Sequence, residues 1–146
     1  LGQGDSAYEN YFSDLARKYV GKLVTVIAFN PDLSRKIYSG ADIFLMPSKS
    51  EPCGLSQMIA SRYGAVPVVR ETGGLYDSIK PVGNGGNGFT FASYNAYDML
   101  YVIREAVNCY NDKEFWAQLV KKVMSVDFSW QRSALEYEKL YGEMLK

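Results

Sequence analysis

Three short apolar runs constrain the fold of this chain more than any other feature. Leu23-Val24-Thr25-Val26-Ile27-Ala28-Phe29, Asp42-Ile43-Phe44-Leu45-Met46 and Val66-Pro67-Val68-Val69 are almost unbroken in apolar residues, and each gives way to a polar turn. A strand with one wet face alternates polar and apolar residues, so an unbroken run reads as a strand covered on both faces. Stretches at helical spacing follow the turns. Such repeated strand-helix units predict an α/β fold, a doubly wound parallel sheet with helices on both faces.

The remaining segments fit that frame. Leu1-Gly2-Gln3-Gly4-Asp5 reads as a strand end running into a glycine turn, so the chain is expected to start mid-domain. Asp5 or Ser6 then caps a helix carrying Tyr8, Tyr11, Phe12, Leu15 and Tyr19, ended by Gly21. Asn30-Pro31-Asp32 offers an N-cap to a helix from about Leu33 to Ser39. Gly54 to Tyr63 is helical, with Leu55, Met58, Ile59 and Arg62 following one another around a face, and Gly64 stops it. Gly83-Asn84-Gly85-Gly86-Asn87-Gly88 reads as too polar and flexible for a regular element, and Gly88-Phe89-Thr90-Phe91 as a short last strand. Helices at Tyr97 to Tyr110, Lys113 to Met124 and Trp130 to Leu145 make the C-terminus helical. The stripe Trp130, Ala134, Tyr137, Tyr141 and Leu145 would, on the plainest reading, pack on this domain's own core, and most tyrosines read as helix-face packing residues.

Composition narrows the chemistry. With 146 residues, 47% of them hydrophobic, the chain has the size of one compact domain. Sixteen basic and sixteen acidic residues cancel, which leaves no global field to attract nucleic acid or anionic lipid, so any anion must be held locally. Cys53 and Cys109 lack CxxC spacing and there is no histidine, which argues against a zinc site, a disulfide framework and Ser-His or Cys-His nucleophiles. No leader opens the sequence and no apolar run approaches a membrane span, so a soluble, cytoplasmic protein is expected.

Ligands of parallel α/β sheets bind at the carboxyl ends of strands, and two glycine turns lie at such ends. In Glu51-Pro52-Cys53-Gly54-Leu55-Ser56-Gln57, Gly54 lets an amide at the start of the next helix approach a phosphate. A carboxylate there is repelled unless it accepts hydrogen bonds from hydroxyls, which makes a sugar a natural partner for Glu51. In Thr72-Gly73-Gly74-Leu75, adjacent unhindered amides can form an anion-binding nest. Each pattern alone also fits a helix cap or a plain turn. Together, one helix and one strand apart, they point to a nucleotide-sugar site. Phe29, at a strand end on the same edge, is either a core residue or a platform for a nucleobase. Cys53 reads as a small loop residue, since no imidazole can serve as its base.

These residues carry a resemblance that spans nearly the whole chain. Ala41 to Ser48, Glu51 to Gln57, Tyr63-Gly64, Pro67, Val69-Arg70, Thr72 to Leu75 and Phe128-Ser129-Trp130 resemble, in order and spacing, the C-terminal half of bacterial glycogen synthases and plant-type starch synthases. The resemblance implies a Rossmann-like half of a GT-B glycosyltransferase, an enzyme moving glucose from ADP-glucose to the non-reducing end of an α-1,4-glucan with retention, with no metal or other cofactor. It implies that residues 1–146 form one nucleotide-sugar-binding domain whose N-terminal GT-B partner is absent, so that this fragment binds ADP or ADP-glucose weakly and is inactive alone. On matching positions, Glu51 would be catalytic, holding glucose hydroxyls and the developing positive charge. The donor would be bound by Cys53, the amides around Gly54 and Leu55, Ser56 at the ribose, and Thr72, Gly73, Gly74 and Leu75. Phe29 stands where the family usually has a tyrosine against adenine.

Two departures go with it. Ile59 occupies the second position of the E-x7-E pattern of related retaining transferases, which affects ribose contacts. The family's donor-binding lysine and glycine motif, its active-site histidine and its phosphate-neutralising arginine and lysine lie in sequence that would precede Leu1. Alternatives are a non-catalytic nucleotide-binding or regulatory module, or a GT-B transferase using another nucleotide-sugar donor. In the resembled family the terminal helix reaches across to the other domain, which would leave the Trp130 stripe exposed here.

Overall fold

Val66, Val68 and Val69 are fully buried, and the strand that carries them organises the fold. The computed structural model describes residues 1–145, which pack as two compact units, Leu1–Ile37 and the residues from Tyr38 on.

In the first unit, helix α1 (Ser6–Lys18) is capped twice: Asp5 Oδ1 accepts from the Ala7 amide at 2.8 Å, and the Glu9 carboxylate accepts from the Gly4 amide at 2.8 Å. Its aromatic residues line up as expected, yet α1 buries none of its residues. The expected strand from Leu23 to Phe29 does not form a ladder. It makes one parallel bridge, Ile27 beside Gly2, with the Gly2 amide donating to Val26 O at 3.1 Å. Apolar, β-branched residues favour extended backbone, but a strand also needs neighbouring N–H and C=O groups to pair with, and among the described residues only Gly2 bridges to it. Helix α2 (Pro31–Gly40) starts where Asn30 Oδ1 accepts from the Leu33 amide at 2.9 Å, with Pro31 at the first helical position.

The second unit holds strands β1 (Ile43–Met46), β2 (Val66–Arg70) and β3 (Phe89–Phe91), all parallel, in the order β1-β2-β3. Helices α3 (Ser56–Tyr63) and α4 (Gly73–Ser78) connect them, and α5 (Ala96–Asn111), α6 (Lys113–Ser125) and α7 (Trp130–Met144) follow. Pro67 costs the sheet little, because the β2-β3 ladder begins only at Val68. Alternate residues of β2 face opposite ways: Val66 and Val68, with Phe89, pack under Ala106, Trp116, Leu119 and Val123, while Val69 packs with Leu75 and Ile79. The parallel sheet with helices on both faces is therefore present.

Four expectations within this unit change. β1 is half-buried rather than buried, with Leu45 41% exposed, because it is an edge of the three described strands. The buried face of α3 is Gln57, Ala60 and Ser61, whereas Leu55 and Ile59 are exposed. Small residues let the helix sit close to the sheet, and that close approach outweighed side-chain apolarity. The glycine-asparagine cluster is ordered: Val82–Asn84 forms a single 3-10 turn, and Asn87, 5% exposed, accepts from the Lys80 amide at 2.8 Å and donates to Ser78 O at 3.0 Å. Asparagine satisfies the backbone locally in a way that polarity alone does not reveal. Finally, α7 buries none of its residues, and Trp130, Tyr137, Tyr141 and Leu145 are exposed, so the stripe does not pack on this unit's own core. A stripe indicates that some surface faces a helix, not that the same unit supplies it. The tyrosines are likewise mostly exposed; only Tyr38, beside Phe44 and Tyr63, and Tyr110, against Trp116, are half-buried.

Candidate functional site

Parallel pairing of β1 with β2 delivers their carboxyl ends to one edge, so the loop after Met46 and the turn after Arg70 emerge side by side. They touch through backbone. The Gly74 amide donates to Glu51 O at 3.0 Å. A methyl group on Gly74 would lie 1.9 Å from Cys53 O, and one on Gly73 would lie 2.2 Å from Glu51 O. Both glycines are thus required by the close approach of two backbones. Gly54, at φ +72°, needs glycine for its left-handed conformation as well as for the 2.7 Å that would separate its methyl from Gln57 Oε1.

Gln57 fastens this junction. Fully buried, it donates through Nε2 to Gly54 O at 2.9 Å and to Ser78 Oγ at 3.1 Å, and the Ser78 hydroxyl donates on to Gly74 O at 2.6 Å. One side chain therefore links the first loop to α4, where the second loop ends. Gln57 closes the Glu51–Gln57 motif, and nothing in that motif's phosphate and sugar chemistry calls for its amide. The available signal was its helical phase with Ala60 and Ser61, a face too small and polar to be an ordinary core stripe.

Around the junction, the Glu51 carboxylate is half-buried and accepts from the Ser48 hydroxyl at 3.3 Å. The ion pairs among the described residues are Arg17–Asp14 and Arg35–Asp32, and neither includes Glu51. Leu55 occupies the N-cap of α3 and supplies no capping side chain. The amides of Leu55, which is exposed, and Ser56, which is half-buried, meet no acceptor among the described residues and lie at the positive end of the helix dipole. A carboxylate with unused acceptor capacity beside such amides can receive hydroxyls and an anion together.

The other expected residues divide. Gly73 lies exposed in the second turn, but the Gly74 amide is committed to Glu51 O, so the expected nest of two free amides is reduced to one. Thr72 precedes α4 without capping it, and its amide donates to Arg70 O at 2.9 Å. Leu75 is fully buried against Val69 and Ile79, and its amide donates to Thr72 O at 3.1 Å, so it holds α4 to the sheet. Phe29 belongs to the first unit and its ring is 86% exposed, which removes the core reading of that side chain. Cys53 and Gly74 also border a large cavity of the second unit, about 670 Å³, which Lys80, Lys122 and Arg132 line as well; Glu51, Gly54 and Leu55 do not line it. Among the described residues no three His, Cys, Asp or Glu side chains converge.

A family model described as glycosyl transferases group 1 matches residues 2–123. The chain belongs to this family. All of this group 1 glycosyltransferase chain aligns with glycogen synthases from Bacillus cytotoxicus at 51% identity, Geobacillus thermodenitrificans at 50% and Bacillus cereus strain Q1 at 49%. It spans 31% of the length of each of these relatives. Among solved structures, the catalytic domain of starch synthase IV from Arabidopsis thaliana, bound to ADP and acarbose, superposes with a TM-score of 0.85 at 38% identity, over 97% of this chain and 31% of that one. The resemblance carried by the motifs from Ala41 to Trp130 therefore holds across the fold.

The two cysteines of this chain differ in exposure. Cys53 is exposed, whereas Cys109 is half-buried, and burial, with the Glu105 and Asp112 carboxylates, pushes its thiol above the ordinary range. A thiol reagent at neutral pH is expected to modify Cys53 first and Cys109 more slowly. Mass-spectrometric labelling rates check this order.

Proposed function

We propose that this chain supplies the donor-binding half of an ADP-glucose-dependent α-1,4-glucan synthase acting with retention. The observation that carries the reading is the backbone junction of the two loops, which sets the Glu51 carboxylate beside the open first turn of α3. The named activity of the bacterial relatives and the ADP and acarbose bound by the plant structure support the choice of donor and acceptor. In this reading Glu51 accepts hydrogen bonds from glucose hydroxyls and stabilises positive charge as the bond to ADP breaks. The amides of Leu55, Ser56 and Gly73 face the pyrophosphate and the Ser56 hydroxyl meets the ribose.

Transfer needs more than these groups. Charge on the departing diphosphate is offset only in part by a helix terminus, worth about half an elementary charge. The activity therefore belongs to a longer protein in which an N-terminal domain supplies cations and holds the glucan, the reaction needing no metal. Charge balance and the relatives' reaction favour a cytoplasmic enzyme, and no helix among the described residues is long and apolar enough to cross a membrane.

The full-length protein, given ADP-glucose and a glycogen primer, is expected to release ADP and lengthen α-1,4 chains. Turnover with UDP-glucose or GDP-mannose but not ADP-glucose would assign a different donor, and donor binding without any transfer would leave a regulatory module.

A further inference from the structure

Arg70, the last residue of β2, lies where the two loops leave the sheet, and its bonds run to neutral groups. Its Nη1 donates to Lys49 O at 2.8 Å and to Ser48 O at 3.3 Å, both in the loop after β1. The guanidinium carbon lies 5.5 Å from the ring centre of Tyr94, beyond β3, while Nε is buried without a partner. No carboxylate pairs with it among the described residues. A half-buried guanidinium whose bonds run only to carbonyls and whose Nε is buried without a partner is held less favourably than one facing an acid, which is unusual for a group serving stability alone.

We propose that Arg70 is a positioning residue for Glu51, held in place by Tyr94 and acting through Ser48; the proposal rests on the donor reading above. Arg70 binds the Ser48 carbonyl, the Ser48 hydroxyl binds Glu51 Oε2, and the Glu51 carbonyl receives the Gly74 amide. This chain of contacts spans the carboxyl ends of all three strands. It fixes both the loop and the direction of the carboxylate that is to meet the sugar. The guanidinium bonds two successive carbonyls through Nη1 while its plane meets an aromatic face; a lysine ammonium keeps the charge and can donate to carbonyls but lacks the planar group that meets the ring.

The test uses the 146-residue chain with Arg70→Met, Arg70→Lys and Tyr94→Leu, read by residue-resolved amide exchange and by ADP-glucose titration. In Arg70→Met the Gly74 amide is expected to exchange about tenfold faster, the loss of one charge-assisted bond, and ADP-glucose binding to weaken by a similar factor. The Val66 amide, bonded to Asp42 O at the opposite end of the sheet, should be unchanged. Arg70→Lys should recover part of both effects and Tyr94→Leu should show a smaller version of them. Unchanged Gly74 exchange in Arg70→Met overturns the proposal, as does equal acceleration at Gly74 and Val66, which marks a general loss of stability. Accelerated Gly74 exchange in a chain whose parent binds no ADP-glucose supports the bracing role and overturns the donor reading instead.

Discussion

Replacing Gly74 with alanine is expected to lower the melting temperature of this chain by about 10 °C, the consequence of roughly 3 kcal/mol of overpacking. The added methyl would meet Cys53 O at 1.9 Å and the Cys53 carbonyl carbon at 2.5 Å, and neither is the end of a flexible side chain. One of the two loops must move away. That movement breaks the bond from Gly74 to Glu51 O and disturbs the Ser78 hydroxyl on Gly74 O. Gly83→Ala is the control, since nothing lies within 4 Å of a methyl group there, and it should stay within about 0.5 kcal/mol of the parent. Thermal melts followed by circular dichroism decide the matter; a Gly74→Ala chain that melts with the parent would show that the loops do not touch as described.

The second large effect concerns chemistry. In the full-length enzyme, Glu51→Gln keeps the size of the side chain and an oxygen for the Ser48 hydroxyl but removes the charge. It should lower kcat about 10²–10³-fold, the range seen when one preorganised electrostatic group is lost from a transition state. KM for ADP-glucose should change far less, because the amides of α3 remain. Steady-state kinetics with glycogen as acceptor separates the two parameters. A variant with kcat within a few-fold of the parent would remove Glu51 from the transition state.

The order of elements and the meeting of the two loops were legible in the sequence because each depends on local signals. Apolar runs mark the strands, Asn30 and Asp5 mark helix starts, and parallel pairing then leaves the turns at one edge. What sequence did not disclose depends on partners. Leu23 to Phe29 has strand composition but one bridging neighbour, and the α7 stripe has helical spacing but no covering surface in its own unit. Within the site, the type of Glu51 and the two glycine turns stood out, since their chemistry is rare at strand ends. Gln57 and Arg70 did not, because both act by bonding to carbonyls, and a carbonyl leaves no mark in the sequence.

The nucleotide sugar is expected to bind at the junction of the two loops. A titration of the isotopically labelled chain with ADP-glucose, followed amide by amide, tests it most directly. Saturable shifts at Leu55, Ser56 and Gly73, with Gly85 and Gly86 at the wall of the large cavity unaffected, are the predicted result. No saturable shift, or shifts confined to Gly85 and Gly86, would contradict it.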